Sequence, residues 1–213
     1  MRFLWWPAAI LAIASFAAAA SESTDGKPDL AKASQTVAQL CSACHGADGN
    51  SASPANPSIA GQPAEYITEQ LMNFKSGIRN NPVMAGIAAT LSPDDMRALG
   101  VYFSQQKSKG LAARDLALAI AGQKLYRGGN TGAGVPACSA CHLPEGIGMP
   151  ARYPRIGGQY ADYVYAQLKA FKAGERGMDK EGKDANGRIM AQIAARMSDA
   201  EMQAVAQYAS GLR

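Results

Sequence analysis

Five residues constrain this chain more than any others, and they occur twice. Cys41-Ser42-Ala43-Cys44-His45 returns letter for letter as Cys138-Ser139-Ala140-Cys141-His142, 97 residues later. The chain holds 4 cysteines and 2 histidines, and the two pentapeptides use every one of them. A C-x-x-C-H run is the attachment signature of c-type haem. Two thiols on one helical turn can add to the two vinyl groups of one porphyrin, and the adjacent imidazole then lies under the iron. Three other readings exist. A thioredoxin-like dithiol would need a β-branched, alternating strand before it, and neither copy has one. A zinc site built from paired C-x-x-C knuckles spaces them by roughly 15–20 residues, far closer than here. A disulfide within each motif, with incidental histidines, is the third.

The N-terminus predicts export. Met1-Arg2 precedes an apolar run from Phe3 to Ala20 that ends on four alanines before Ser21-Glu22-Ser23. A charged start, an apolar stretch and a small-residue cleavage site make a secretory signal peptide over residues 1–20. An uncleaved anchor is the alternative, because the run approaches the length of a membrane span. Free C-x-x-C pairs would oxidise in an exported protein unless haem captures them. Loss of residues 1–20 leaves 193 residues and takes the formal charge from +4 to +3. Lysines and arginines are scattered without a basic run, so nucleic-acid binding is not indicated.

The motifs belong to a longer repeat. Residues 41–77 laid on 138–174 give 17 identities in 37 positions, among them Pro57/Pro154, Gly61-Gln62/Gly158-Gln159, Tyr66/Tyr163 and Gln70-Leu71/Gln167-Leu168. The register then slips by nine residues, and 84–102 matches 190–208 at 9 of 19 positions. The chain is a tandem duplication. Apolar spacing predicts helices over 29–40, 63–74 and 115–126, with two more opened by the N-caps Ser92 and Ser198, each followed by an acidic N3 residue. No segment alternates with period two, so the fold class is all-α. Ser104–Arg114 reads as the linker, which places the domains at 21–107 and 108–213. The nine extra residues fall in a charged loop after Gly174 that includes Asp179, Lys180, Glu181, Lys183 and Asp184, and it reads as a solvated surface loop.

A haem iron with a proximal histidine needs a second axial ligand, and no third histidine exists. Methionine is the natural candidate. Only Met84/Met190 and Met96/Met202 are equivalent between the halves. Met96 and Met202 open amphipathic helices, where packing is the default. Met84 and Met190 follow turn-rich segments, Asn80-Asn81-Pro82 and Asn186-Gly187, and are expected on loops that can bring a sulfur to the iron.

With these residues in view, each half resembles a class I cytochrome c domain, and the tandem resembles the dihaem cytochrome c4 family. Shared wording includes Cys-x-Ala-Cys-His-Gly-Ala-Asp-Gly at 41–49, Ala60-Gly61-Gln62, and Gln70-Leu71 followed by Phe74-Lys75-x-Gly77. In the second half it includes Tyr153-Pro154-Arg155-Ile156-x-Gly158-Gln159 and Ala194-Ala195-Arg196-Met197-Ser198-Asp199. Leu143 departs from the pattern, standing where the first motif has Gly46. The resemblance implies two tandem domains, each a few helices around one covalent haem c. Cys41, Cys44, Cys138 and Cys141 would carry the two haem c groups, and His45, Met84, His142 and Met190 would ligate the irons. It also implies that the carbonyls of Pro57 and Pro154 accept from the haem-ligand imidazoles, although a rigid turn would equally call for proline.

The function expected is a periplasmic electron carrier rather than an enzyme. The resemblance implies a quinol-oxidising complex as its donor and a terminal oxidase or reductase as its acceptor, with loose membrane association as an option. Irons ligated by both His and Met leave no open site for a reactant. The rival is a dihaem enzyme, peroxidase-like or another haem oxidoreductase, with one labile methionine. It would need acid–base groups at a vacant iron, and no histidine is left for that work.

Overall fold

Both copies of the repeat fold into the same set of helices, and the differences fall where the sequences diverge. The structure, a computed structural model, describes residues 26–179, 182 and 184–212. The stretch read as a signal peptide, 1–20, and Lys180, Glu181 and Lys183 lie outside the described residues. In the first half, Asp29 caps α1 (Leu30–Thr36) by accepting from the Lys32 N–H at 2.9 Å. The helix widens into a π turn over Val37–Cys41 and runs directly into α2 (Ser42–His45). Then come α3 (Ala64–Ser76), α4 (Pro82–Ala89) and α5 (Pro93–Ser104). The second half repeats the series as α6 (Leu116–Gly128), α7 (Ser139–His142), α8 (Ala161–Lys172), α9 (Ala185–Ala194) and α10 (Asp199–Gly211). Among the described residues there is no strand, only the isolated bridges Asn130–Val135 and Met149–Tyr153. The all-α expectation holds.

Local chemistry sets these boundaries. Ser92 and Ser198 form capping boxes with Asp95 and Glu201, satisfying the first N–H groups of α5 and α10. Gly77 closes α3 in the left-handed conformation, φ +78. Met96 and Met202 are core residues, 1% and 2% exposed, as their helix positions predict. They pack with Leu99 and Phe103 in one half and with Tyr126 and Val205 in the other. The terminal helices of the second unit approach closely through glycine. A Cβ added at Gly122 of α6 would collide with the carbonyl of Ala204 on α10.

The linker is fastened on both sides. Asn50, just past the first motif, accepts from the Lys109 N–H at 2.9 Å and donates to the Lys107 carbonyl at 3.0 Å. Lys109 also pairs with Asp48 at 2.9 Å, and Arg114 with Asp162 at 2.5 Å. The units meet through two reciprocal glutamines. Gln62 binds both backbone groups of Arg155, at 2.7 and 2.9 Å. Gln159 binds both backbone groups of Ser58, at 2.7 and 3.0 Å.

Two outcomes test this packing. Gly122→Ala should destabilise the protein by about 1–3 kcal/mol, the usual cost of overpacking; a chemical denaturation midpoint equal to the parent's would contradict the close crossing. Lys109 holds the Asp48 carboxyl down at about 2, from an ordinary 3.8, helped by the Asn50 N–H. A carboxyl depressed on folding adds stability above its unfolded pKa and loses it as pH falls through the folded one. Asp48→Asn should therefore flatten the acid limb of a stability profile between pH 4 and 2, and leave pH 5–7 comparatively unaffected by pH.

Candidate functional site: a cavity shared by two histidine–methionine pairs

The two pentapeptides present their histidines in the same way. His45 ends α2 and donates from Nδ1 to the Pro57 carbonyl at 2.9 Å; His142 ends α7 and donates to the Pro154 carbonyl at 2.9 Å. A carbonyl can only accept, so Nδ1 carries the hydrogen and Nε2 keeps its lone pair for a metal. Burial pushes both imidazole pKa values down, against an opposing pull from the proline carbonyls. Both rings are thus held in the neutral form that binds metals. Burial also lifts the Cys41 and Cys138 thiols to about 11.

A cavity of about 960 Å³ runs between the two units. Cys41, Cys44, His45 and Met84 line it from one side, and Cys138, His142 and Met190 from the other. Cys141 lines an adjoining pocket of about 70 Å³ together with Cys138, His142 and Met190. All eight expected residues therefore gather in two equivalent sets. One expectation is corrected. Met84 and Met190 lie on the short helices α4 and α9, not on loops. The turn-forming residues before them are helix starts. Asn81 caps α4 by accepting from the Met84 N–H at 2.9 Å, with Pro82 at its first position. Asp184 caps α9 by accepting from the Gly187 N–H at 2.7 Å.

A second expectation also changes. The charged segment after Gly174 is not simply a solvated loop, because Arg176 and Asp184 are 9% and 5% exposed. Arg176 donates to Gln167 at 2.7 Å, to the Tyr66 hydroxyl at 3.0 Å and to Gln70 at 3.2 Å. Arg79, its counterpart in the first unit, donates to Gln70 at 2.8 Å, to the Tyr163 hydroxyl at 2.9 Å and to Gln167 at 3.0 Å. Each guanidinium lies over a phenylalanine ring of its own unit, Phe74 or Phe171, at 4.5 Å. Among the described residues no carboxylate forms an ion pair with either arginine. Asp184 acts on Arg176 from a distance while capping α9. A pair of guanidiniums lining a cavity and holding only neutral oxygens suits an anionic occupant. Apolar walls, paired thiols, a neutral imidazole with a free Nε2, a thioether and these cations together fit a haem with its carboxylates. The cross-unit role of these arginines went unread in the sequence. The signal was present, since Arg79 and Arg176 stand in register two residues beyond Gly77 and Gly174.

Comparison with known proteins identifies the family and the fold. The family model for cytochrome c matches residues 119–212, and that for cytochrome c oxidase, cbb3-type, subunit III matches residues 28–103. Cytochrome c4 of Pseudomonas aeruginosa is 42% identical over 184 residues, covering 85% of this chain and 88% of that protein. The chain belongs to the cytochrome c4 family. The crystal structure of reduced recombinant cytochrome c4 from Pseudomonas stutzeri superposes with a TM-score of 0.79 at 38% identity. It covers 88% of this chain and 100% of its own. A thiosulfate dehydrogenase electron acceptor from Thiomonas intermedia is 41% identical over 174 residues, covering 80% of this chain and 77% of that protein. Cytochrome c domains carry haem c covalently, and this family transfers electrons. Among the described residues no helix is long and apolar enough to cross a membrane.

The departure at Leu143 has a structural consequence. Gly46 leaves α2 at φ +76, ψ 153, and Leu143 leaves α7 at φ +67, ψ 159. That region is essentially reserved for glycine and costs about 1–3 kcal/mol otherwise. The Tyr126 hydroxyl donates to the Leu143 carbonyl at 2.7 Å and helps hold the turn. Leu143→Gly should therefore stabilise the protein by on the order of 1 kcal/mol, after glycine's added unfolded-state entropy. A lowered denaturation midpoint would contradict the strain.

Proposed function

We propose that this chain is a dihaem electron carrier with two units, 21–107 and 108–213. Cys41 and Cys44 hold one haem c through thioethers, and Cys138 and Cys141 hold the other. His45 with Met84, and His142 with Met190, supply the axial ligands. The observation that carries this reading is the twofold arrangement itself. In each unit a histidine with Nδ1 committed and a methionine from a short helix line one apolar cavity. The bound haem supplies a one-electron ferric–ferrous couple. The protein does the rest. The proline carbonyls orient the imidazoles, Met84 and Met190 would supply the second ligand and favour a higher potential than a second histidine would, and the apolar walls would limit access of water. With both axial positions taken, the residues favour transfer of electrons over chemistry on a bound substrate.

The N-terminal stretch supports export to the periplasm, with residues 1–20 removed. Redox proteins are the partners: a quinol-oxidising complex as donor and a terminal oxidase or reductase as acceptor. A relative named for accepting electrons from thiosulfate dehydrogenase adds a substrate dehydrogenase as a further class of donor.

The test is spectroscopic. The oxidised protein should show two low-spin haems and the weak near-red methionine-to-iron band. Met84→Ala and Met190→Ala should each remove about half of that band and open one iron to carbon monoxide after reduction. Unchanged spectra in both variants would reject the assignment of these methionines.

A further inference from the structure

The interface glutamines touch more than the opposite backbone. The N–H of Ser58 and the C=O of Pro57 belong to one peptide group, as do the N–H of Arg155 and the C=O of Pro154. On the carbonyl side each peptide accepts from its own unit's histidine, His45 or His142, at 2.9 Å. On the amide side each donates to a glutamine of the other unit: Ser58 to Gln159 at 3.0 Å, Arg155 to Gln62 at 2.9 Å. The glutamine nitrogens close the pairing on the carbonyls of Ser58 and Arg155, both at 2.7 Å. Both glutamines are buried, 7% and 6% exposed, so water does not compete for these bonds. The same two-bond arrangement occurs twice, related by the repeat.

We infer that Gln159 and Gln62 are positioning residues that tune the opposite unit's haem, through the peptide group that binds its histidine. Hydrogen bonds in a chain polarise one another. An acceptor on a peptide N–H draws that proton away and leaves its C=O a stronger acceptor. A stronger acceptor at Nδ1–H makes the imidazole more electron-donating, which favours ferric iron and lowers its potential. The wiring is crossed. Gln159, in the second unit, acts on His45, and Gln62, in the first, acts on His142. Docking of the two units is therefore part of the setting of each iron, and a movement that parts them raises both potentials.

The inference rests on the two-haem reading, and a redox titration of the holoprotein tests it. Each potential is followed by NMR signals assigned to its own unit. Gln159→Met keeps the side-chain length and removes the acceptor, so the potential of the His45 unit should rise while that of the His142 unit moves less. Gln62→Met should give the mirror image. Gln159→Glu restores an acceptor and should lower the His45-unit potential instead, so the test survives a poorly folding methionine variant. A shift confined to the substituted residue's own unit, equal shifts in both, or no shift overturns the relay. If the parent holoprotein lacks two low-spin haems, the two-haem reading fails and the relay with it; two low-spin haems without the crossed pattern reject the relay alone.

Discussion

Two peptide groups, Pro57–Ser58 and Pro154–Arg155, hold the geometry of both halves together. Each is fixed on one side by a histidine of its own unit and on the other by a glutamine of its neighbour. Proline limits the backbone leading into each peptide. Each glutamine immediately precedes a helix, with Pro63 at the N-cap position of α3 and Tyr160 at that of α8. Those helices carry Tyr66, Gln70, Tyr163 and Gln167 to the middle of the interface, where the arginines meet them. A single set of bonds thus orients His45 and His142 and docks the units, and the helices that wall the cavity begin just after the glutamines.

The interface is polar, unlike the cores on either side. Two charged guanidiniums are bound there by hydroxyl and amide oxygens and stacked on aromatic rings, an arrangement whose desolvation is not offset by any paired carboxylate among the described residues. Amide and hydroxyl partners fix direction more than they neutralise charge. Such contacts make poor general adhesive and good registration, because each donor has one geometrically suitable acceptor. The linker reinforces the registration. Its ties to Asn50, Asp48 and Asp162 leave it little freedom to act as a flexible tether.

Much of this was legible in the residues. The duplication, the all-α class, the capping serines and the packing role of Met96 and Met202 all follow from local chemistry and period. Met84 and Met190 were legible as a pair because a repeat marks positions that matter in both copies. Their helices were not, because Asn81-Pro82 and Asp184 look the same at a loop as at the first turn of a short helix, and only tertiary contact decides. Gln62 and Gln159 stood among the repeat identities, yet nothing in a linear pattern says that a glutamine reaches across a domain boundary. Arg176 was harder still. It opens a segment rich in charge, where exposure is the usual outcome, and only the approach of the other unit buries it.

The pattern of divergence between the halves separates what must match from what is free to differ. The register is unbroken from the cysteines through Gly77 and Gly174, which spans the histidines, their prolines, the glutamines and the helices that meet across the interface. These residues lie at a pseudo-twofold contact, where each copy is the other's partner. A change in one would leave its counterpart unmatched. The nine-residue slip falls between Gly174 and Met190, in the segment that leads into the methionine helix of the second unit. There the second unit has gained Asp184 as a buried cap for α9, while the first relies on Asn81 and Pro82 for α4. A neutral cap beside one methionine helix and a carboxylate beside the other give the two units different electrostatic surroundings on their methionine sides. The shared interface makes the two histidine–methionine sets equivalent in geometry; the methionine side is where the chain makes their surroundings unequal.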